Sequence, residues 1–304
     1  MKRRIDPGVL LLLTPLMWGA TFPAGKLALR RLPPLTFMAW TRGLGFLAIL
    51  AMVPLLRRGE GPKRPAHQAI GPGVLLGGLI FLAYVLQTEG LARTTATNAG
   101  FITCLYVVFT PILVAVVFGQ RVPRAAWLAV LLSLIGMALL SIRDLGHVRL
   151  HAGDMLVLAS AVAWAGHVTG VGYFAPRFPA WTISLAQMAA TAVFQLLAVS
   201  STGLRFHDVA SASVWPLLIV TGAVGSGVAY TLQVMGQQRV TATRAVVLLA
   251  GESVFAAMFA AVWIGERLSA HQWLGAILVL AAMAYSELSA RRPPELRFEP
   301  ASAP

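Results

Sequence analysis

Two ionisable side chains lie near the middle of long apolar stretches. Arg42 lies in the stretch 34–56, and Glu252 lies in the stretch 241–264. A central arginine in a lipid-spanning helix costs about 2.5 to 3.5 kcal/mol, so such side chains face the protein interior and need a partner. Arg42 could bind an anionic group of a small molecule or form a structural salt bridge. Glu252 could bind an amine, exchange a proton, or be a fixed partner of Arg42, and these alternatives stay open here.

A motif with one aromatic and one amide side chain occurs twice. Tyr84 and Gln87 recur as Tyr230 and Gln233, 146 positions later. A spacing of three places both side chains on one face of a helix. We expect the two faces to line a polar pocket with aromatic walls, suited to an amphipathic small molecule. The alternative is hydrogen bonding between helices, worth about 0.6 kcal/mol per bond.

Two further pairs of residues share this offset. Trp18 and Trp164 lie midway along their apolar stretches. Tryptophans at a membrane interface lie at helix ends, so a cavity wall is the better interpretation of this pair. Thr21 and His167 follow one turn later on the same face. A wet histidine would titrate near neutral pH, and a buried, hydrogen-bonded histidine is the alternative that we favour.

These polar and aromatic positions define one candidate site. Tyr106 joins it as the repeat partner of Glu252. The predicted substrate cavity comprises Trp18, Thr21, Arg42, Tyr84, Gln87, Tyr106, Trp164, His167, Tyr230, Gln233 and Glu252. Glu252 is also the candidate for ion coupling. We predict no catalytic residues, no cofactor and no metal ion at this site.

The composition indicates a protein that crosses the bilayer several times. Hydrophobic residues make up 58% of the 304 residues and charged residues 12%, against roughly 45–50% and about 25% in soluble proteins. The net charge of +13 does not indicate a nucleic-acid partner, because the basic residues lie in short gaps between apolar stretches. The single cysteine, Cys104, excludes a disulfide within the chain. The expected partners are therefore the lipid bilayer and a small-molecule substrate, and a homodimer is an open alternative to a monomer.

Ten apolar stretches have the length that a membrane-spanning helix needs, about 20 residues. They are 8–29, 34–56, 70–92, 96–118, 124–142, 152–175, 180–203, 213–236, 241–264 and 271–289. The repeat divides them into two domains of five spans, 8–142 and 152–289, followed by a tail, 290–304, that we expect to be disordered and cytoplasmic. We therefore predict an all-α membrane protein of ten transmembrane helices.

An odd number of spans in each repeat places the two repeats in opposite orientations in the membrane. Inverted repeats are typical of secondary transporters, in which two halves open a shared site to either side in turn. Most Lys and Arg residues outside the spans lie on the side of the N-terminus, which predicts cytoplasmic termini. Lys26, Arg30 and Arg31 lie on the opposite side.

Several stretches resemble the EamA-type family of the drug/metabolite transporter superfamily. They are MWGATFPAGKLAL (17–29), WTRGLGFLAIL (40–50), NAGFITCLYVVFTPILVAVVFGQRV (98–122) and RAVVLLAGESVFAAMFAAVWIGERLS (244–269). The resemblance covers about residues 8 to 289 and implies a ten-helix transporter of small metabolites or drugs. Where the family often has Glu-Pro-Val, this chain has Glu252-Ser253-Val254. Loss of this proline predicts a straighter ninth span.

These observations favour a secondary transporter in the cell membrane, and the family resemblance implies more specifically an exporter. The chain has no Gly-Lys-Ser/Thr phosphate-binding loop, so it does not hydrolyse ATP by itself, and a proton gradient acting through Glu252 is the candidate energy source. The alternatives are an intramembrane enzyme and a multispanning protein without transport activity. An enzyme would need a nucleophile and a base, or metal ligands, at one membrane depth, and the sequence contains no His-Glu-x-x-His motif.

Overall fold

The computed structural model describes residues 6–57, 63–91, 93–94, 102–141, 152–200, 209, 211–265 and 267–290. These residues form helices joined by short turns and contain no strand. The predicted tail lies outside this described part, apart from residue 290, which ends the last helix. The domain boundaries of the sequence analysis stay a prediction.

The helices follow the apolar stretches of the sequence. The first half contains α1 (Pro7–Leu29), α2 (Pro34–Leu56), α3 (Ile70–Leu91), α4 (Tyr106–Phe118) and α5 (Arg124–Ser141). The second half contains α6 (Asp154–Phe174), α7 (Ala180–Ser200), α8 (Trp215–Leu218), a π-helical segment (Ile219–Ala229), α9 (Tyr230–Gln237), α10 (Ala242–Leu249), α11 (Glu252–Ile264) and α12 (Ala270–Ala290). Short 3₁₀ turns occupy Ala66–Ala69, Ala175–Arg177 and Ala212–Val214.

Helix ends carry the local signals that start and stop a helix. The Asp6 carboxylate accepts a hydrogen bond from the backbone N–H of Gly8 at 2.7 Å and caps α1. Gly119 and Gly265 end α4 and α11 with φ of 63° and 75°, in the left-handed region that glycine adopts without strain. These two glycines are repeat partners, so both halves end their fourth span in the same way.

In the part of the chain that the structure describes, eight helical segments are long and apolar enough to cross a membrane. Two further apolar helices are shorter, Tyr106–Phe118 and Arg124–Leu140. The protein is therefore an all-helical, multispanning membrane protein, and the count of ten transmembrane helices stays a prediction.

Helices of one half pack against helices of the other half. Helix α3 packs against α6 and α7 of the second half, and the π-helical segment packs against α1 and α2 of the first half. Helix α1 contacts α11, just as α6 contacts α4. Helices α2 and α7 contact each other, as do α5 and α12. The pattern is unchanged when each helix is exchanged for its repeat partner, so neither half builds its core alone.

The straighter ninth span stays a prediction, but the structure shows that this span is not one continuous α-helix. The chain breaks between α10 and α11, where the N–H of Gly251 bonds to the Leu248 carbonyl and the N–H of Ser253 bonds to the Ala250 carbonyl. Bonds that reach back three residues instead of four tighten the turn and redirect the helix without a proline.

The same break occurs in the fourth span. There the N–H of Leu105 bonds to the Ile102 carbonyl, and the N–H of Val107 bonds to the Cys104 carbonyl. Each of these four positions is the repeat partner of a position in the break before α11. Both breaks therefore place a helix N-terminus at an equivalent position in the two halves.

The eighth span also departs from the single α-helix that was predicted. Residues Ile219–Ala229 form a π-helix, a wider form that is rare beyond one turn. This segment is rich in glycine, and its contact with α2 is close: a β-carbon added at Gly45 would lie 2.7 Å from the Ser226 β-carbon and 3.0 Å from the Ser226 carbonyl carbon. Small residues of this kind let two helices approach closely in lipid.

We expect Gly45→Ala to destabilise the protein, because the added methyl group must push α2 away from the π-helical segment. Overpacking of this kind costs about 1–3 kcal/mol. Gly43→Ala is the matched control, since nothing lies within 4 Å of a β-carbon at this position of the same helix. The measurement is the melting temperature of the detergent-purified variants. Equal melting temperatures for the two variants would contradict the close contact.

Candidate functional site

A hydrogen bond between the two halves lies at the centre of the candidate site. The Tyr106 hydroxyl donates to the Glu252 carboxylate at 3.2 Å, across a sequence separation of 146 residues. Each residue is the first of its helix, α4 or α11, directly after a break. Tyr106 is buried and Glu252 is half-buried. Because these two residues occupy the same position of the two repeats, their contact lies at the interface between the halves.

Two aromatic pairs flank this contact. The rings of Trp18 and Tyr230 are 5.0 Å apart at 63°, and those of Tyr84 and Trp164 are 4.9 Å apart at 82°. Each pair joins the first span of one half to the third span of the other, and the repeat exchanges the two pairs. Edge-to-face pairs of this kind contribute about 0.5–1.5 kcal/mol beyond their buried area.

The two tryptophans also donate hydrogen bonds from their indole nitrogens, to different acceptors. Trp18 Nε1 donates to the backbone carbonyl of Gly225 in the π-helical segment at 3.0 Å. Trp164 Nε1 donates to Gln87 Oε1 at 3.3 Å, and Gln87 Nε2 donates to the Thr103 hydroxyl at 3.2 Å. Both tryptophans are half-buried, so each indole is held in place beside its tyrosine and keeps part of its surface accessible.

The two glutamines of the repeated motif lie in different environments. Gln87 is half-buried beside Trp164, whereas Gln233 is fully buried. Gln233 Nε2 donates to Gln237 Oε1 at 3.0 Å, and Gln237 Nε2 donates to the Val168 carbonyl at 2.9 Å. The structure therefore brings Gln87, but not Gln233, to the aromatic pairs.

His167 lies behind the Tyr230 ring and is buried. The two ring centroids are 5.6 Å apart, and His167 Nε2 is hydrogen-bonded to Gln187 Oε1 at 3.1 Å. Thr21, its repeat partner, uses its hydroxyl to bond the Trp18 carbonyl at 2.7 Å and packs its methyl group against Gly225. Neither polar group therefore points to the Tyr106–Glu252 contact.

Arg42 is the most buried charge at the site, with 5% of its surface exposed. Its guanidinium carbon lies 4.1 Å from the centroid of the Tyr84 ring, which is a cation–π contact. Among the residues described, Arg42 forms no ion pair with Glu252, and its Nε and Nη1 atoms have no hydrogen-bond partner. Arg42 and Glu252 are nevertheless both within electrostatic range of the Tyr230 hydroxyl.

Gln187 and the helix breaks were missed by the sequence reasoning. Gln187 lies in the middle of the apolar stretch 180–203, and the rule that singled out Arg42 applies to it equally. The breaks at Cys104–Leu105 and Ala250–Gly251 had no proline as a signal. The signal that remained was weaker: a side chain with a polar group directly follows the turn in both halves, Tyr106 in one and Glu252 in the other.

An apolar cleft of about 400 Å³ lies away from these residues, between α3, α4 and α6. Leu75, Leu79, Leu113, Val117 and Tyr173 are among its lining residues, and none of the predicted site residues lines it. Within the described ranges, no group of three or more His, Cys, Asp and Glu side chains is placed to hold a metal ion. The polar residues at the contact between the halves are therefore the better candidate site.

Comparison with known proteins identifies the family. The EamA-like transporter family matches this chain twice, at residues 7–142 and 151–286. The chain belongs to the EamA-like transporter family. It is therefore a membrane transporter of the drug/metabolite transporter superfamily. The two matches of the family model agree with the internal repeat of the sequence.

Three relatives and one solved structure are similar to this EamA-like protein. An uncharacterized transporter from Archaeoglobus fulgidus is 31% identical, over 92% of this chain and 85% of the relative. A "probable amino-acid metabolite efflux pump" from Escherichia coli K12 is 27% identical, over 91% and 93%. The threonine/homoserine exporter RhtA of Salmonella typhimurium LT2 is 27% identical, over 74% and 72%. A protein of known crystal structure shares the fold, with a TM-score of 0.77 at 20% identity over 94% of this chain and 98% of that protein.

The different surroundings of Gln87 and Gln233 predict different accessibility to water. In a Cys104→Ser background, we expect Gln87→Cys to react with a small water-soluble methanethiosulfonate at least about tenfold faster than Gln233→Cys, because only position 87 is partly exposed. The measurement is the labelling rate of the purified protein by mass spectrometry. Since the two positions are repeat partners, each is the control for the other, and equal rates would contradict the asymmetry.

Proposed function

We propose that this EamA-like protein exports a small, amino-acid-like metabolite across the cell membrane as a secondary transporter. The observation that carries this proposal is the meeting of repeat-related residues from both halves, Tyr106 with Glu252 and the two tryptophan–tyrosine pairs, at one place. A site built equally by two halves changes its exposure when the halves move against each other. Enzymatic activity is not part of the proposal, because the relatives are named transporters, exporters and efflux pumps.

We propose ten spans in two inverted repeats of five, with both termini in the cytoplasm. The exchange-symmetric packing of the helices supports this arrangement, and so does the contact of Tyr106 with its own repeat partner. The two breaks add further support, because discontinuous helices whose N-termini face a central site are a feature of inverted-repeat transporters.

The inversion has a direct test in two repeat-related loops. Arg121 lies between α4 and α5, Arg267 lies between α11 and α12, and both are exposed. In a Cys104→Ser background, we expect a membrane-impermeant maleimide to label Arg267→Cys on intact cells and Arg121→Cys only after the cytoplasmic side is opened. Labelling of both cysteines from the same side would refute the inverted arrangement.

The residues at the contact suit a substrate with both polar and apolar parts. The half-buried surfaces of Trp18, Tyr84 and Trp164 offer aromatic walls, and Gln87 offers an amide group beside them. Arg42 and Glu252 supply one charge of each sign without pairing to each other in the described structure. An amino acid, with one carboxylate and one ammonium group, matches this charge distribution. The names of two relatives, a threonine/homoserine exporter and an amino-acid metabolite efflux pump, agree with this class.

Glu252 is the proposed site of proton coupling. It is half-buried at the start of α11, and among the described residues it accepts a hydrogen bond from one neutral donor, Tyr106, and pairs with no cation. A carboxylate without a fixed counter-charge can take up and release a proton as its surroundings change. The chain's own sequence offers no ATP-binding loop, so a gradient is the proposed energy source.

We expect Glu252→Gln to abolish transport driven by a pH gradient and to retain exchange of substrate for substrate. The amide keeps the shape and the hydrogen-bond acceptor for Tyr106 but cannot carry the proton. The measurement compares gradient-driven accumulation with exchange in proteoliposomes, where we expect a loss of at least about tenfold in the first only. Glu89→Gln is the matched control, since Glu89 is exposed and pairs with Arg93 at 2.8 Å at a helix end. A Glu252→Gln variant that accumulates substrate like the wild type would overturn the coupling role.

A further inference from the structure

The buried guanidinium of Arg42 is not accounted for by proton coupling. It lies in α2 with 5% of its surface exposed, and its Nε and Nη1 atoms are buried without hydrogen-bond partners among the described residues. Buried polar atoms in proteins are nearly always satisfied, and a buried charge without a counter-charge is rarer still. An exception of this kind needs an explanation other than packing.

The surroundings of Arg42 hold it in place without neutralising it. Its guanidinium carbon lies 4.1 Å from the Tyr84 ring centroid, and Tyr84 is fixed in turn by Trp164. The cation–π contact engages one face of the planar group and leaves its in-plane N–H donors unused. The carboxylate of Glu252, the other charged group of the candidate site, is bonded to Tyr106 instead. The positive charge is therefore positioned but has no anionic partner in the described structure.

Comparison of the two halves shows that the fold does not need a charge at this position. The repeat partner of Arg42 is Met188, a fully buried side chain of similar length in the equivalent helix α7. Helices α2 and α7 pack against each other, and Met188 belongs to the cluster of buried residues against which Tyr84, the ring beside Arg42, also packs. A methionine satisfies the packing in one half, and so the arginine in the other half has a different role.

We propose that Arg42, covered by Tyr84, is the subsite that receives the carboxylate of the transported molecule. This inference rests on the proposed transport function and adds to it the chemical group that is recognised. A guanidinium binds a carboxylate through two parallel N–H···O bonds, which is the strongest planar match available to an arginine. Because Nε and Nη1 are closed to solvent in this conformation, the carboxylate reaches them only after the side chains around Arg42 rearrange.

The inference predicts a specific loss of discrimination. We expect the wild type to bind and exchange molecules with a free carboxylate and to reject the corresponding carboxamides. In Arg42→Met, we expect the apparent affinity for carboxylates to fall roughly ten- to hundredfold, while the low affinity for carboxamides stays unchanged. Arg42→Lys keeps the charge but loses the planar pair of donors, so its discrimination should lie between the two.

The experiment uses the full chain in proteoliposomes with three sets of probes: L-amino acids, their carboxamides, and carboxylic acids that lack the amino group. The readouts are the melting-temperature shift and the exchange of labelled probe. Arg57→Met is the matched control, because Arg57 also belongs to the end of α2 and lies 5.2 Å over an aromatic ring, that of Trp181, but is exposed. If Arg42→Met fails to fold, Arg42→Lys and the selectivity of the wild type still decide the question.

Each outcome has a defined meaning. Loss of discrimination in the Arg42 variants with Arg57→Met unchanged supports the carboxylate subsite. Exchange of carboxamides by the wild type as fast as of acids, or full discrimination by Arg42→Met, overturns it while leaving the transport function intact. If no probe of any set is bound or exchanged by the wild type, the proposed amino-acid-like substrate fails, and the carboxylate subsite fails with it.

Discussion

The hydrogen bond between Tyr106 and Glu252 joins the same position of two copies of one unit, and the rest of the architecture depends on that meeting. It requires the fourth spans of both halves to reach the centre of the molecule. It also requires both spans to break just before these residues, so that a helix begins with the side chain facing its counterpart. The crossed packing of first, second and third spans between halves brings the breaks together. Much of the helix packing therefore joins one half to the other, as the shared site does.

The site combines polar and charged side chains whose burial in a bilayer costs free energy. An arginine, a glutamate and several amides lie within helices whose side chains are mostly apolar. The structure links some of them by hydrogen bonds to one another and to the backbone, as in the chain from Gln233 Nε2 through Gln237 to the Val168 carbonyl. It leaves others with partners that are neutral or aromatic, as with Glu252 and Arg42. The second group is the one that a polar ligand can engage.

Much of the fold was predictable because the bilayer imposes a simple rule on length and polarity. The helices α1, α2, α6 and α7 follow apolar stretches whose ends are marked by Pro, Gly, Lys or Arg, and the family resemblance is confirmed. The break before Glu252 was not predictable in this way, because it comes from tightened backbone hydrogen bonds rather than from a residue type. The repeat marked Trp18 and Tyr230 as candidate site residues, but neither their ring contact nor the different burial of Gln87 and Gln233 follows from it. Identical residues in the two halves contact different neighbours, which a comparison of the two repeat sequences cannot reveal.

The π-helical segment in the second half has no equivalent in α3, its counterpart in the first half. If the two halves were identical, exchanging their conformations would give a state of the same energy, and a transporter would rest equally facing either side. Under the proposed alternating access, a wider helix in one half, together with Arg42 at the position that Met188 occupies in the other half, would remove this degeneracy. The two resting states would then differ in free energy, and a difference of about 1.4 kcal/mol already shifts two populations tenfold. The departures from symmetry, rather than the symmetry itself, would determine which side of the membrane the empty binding site of a carrier of this fold faces.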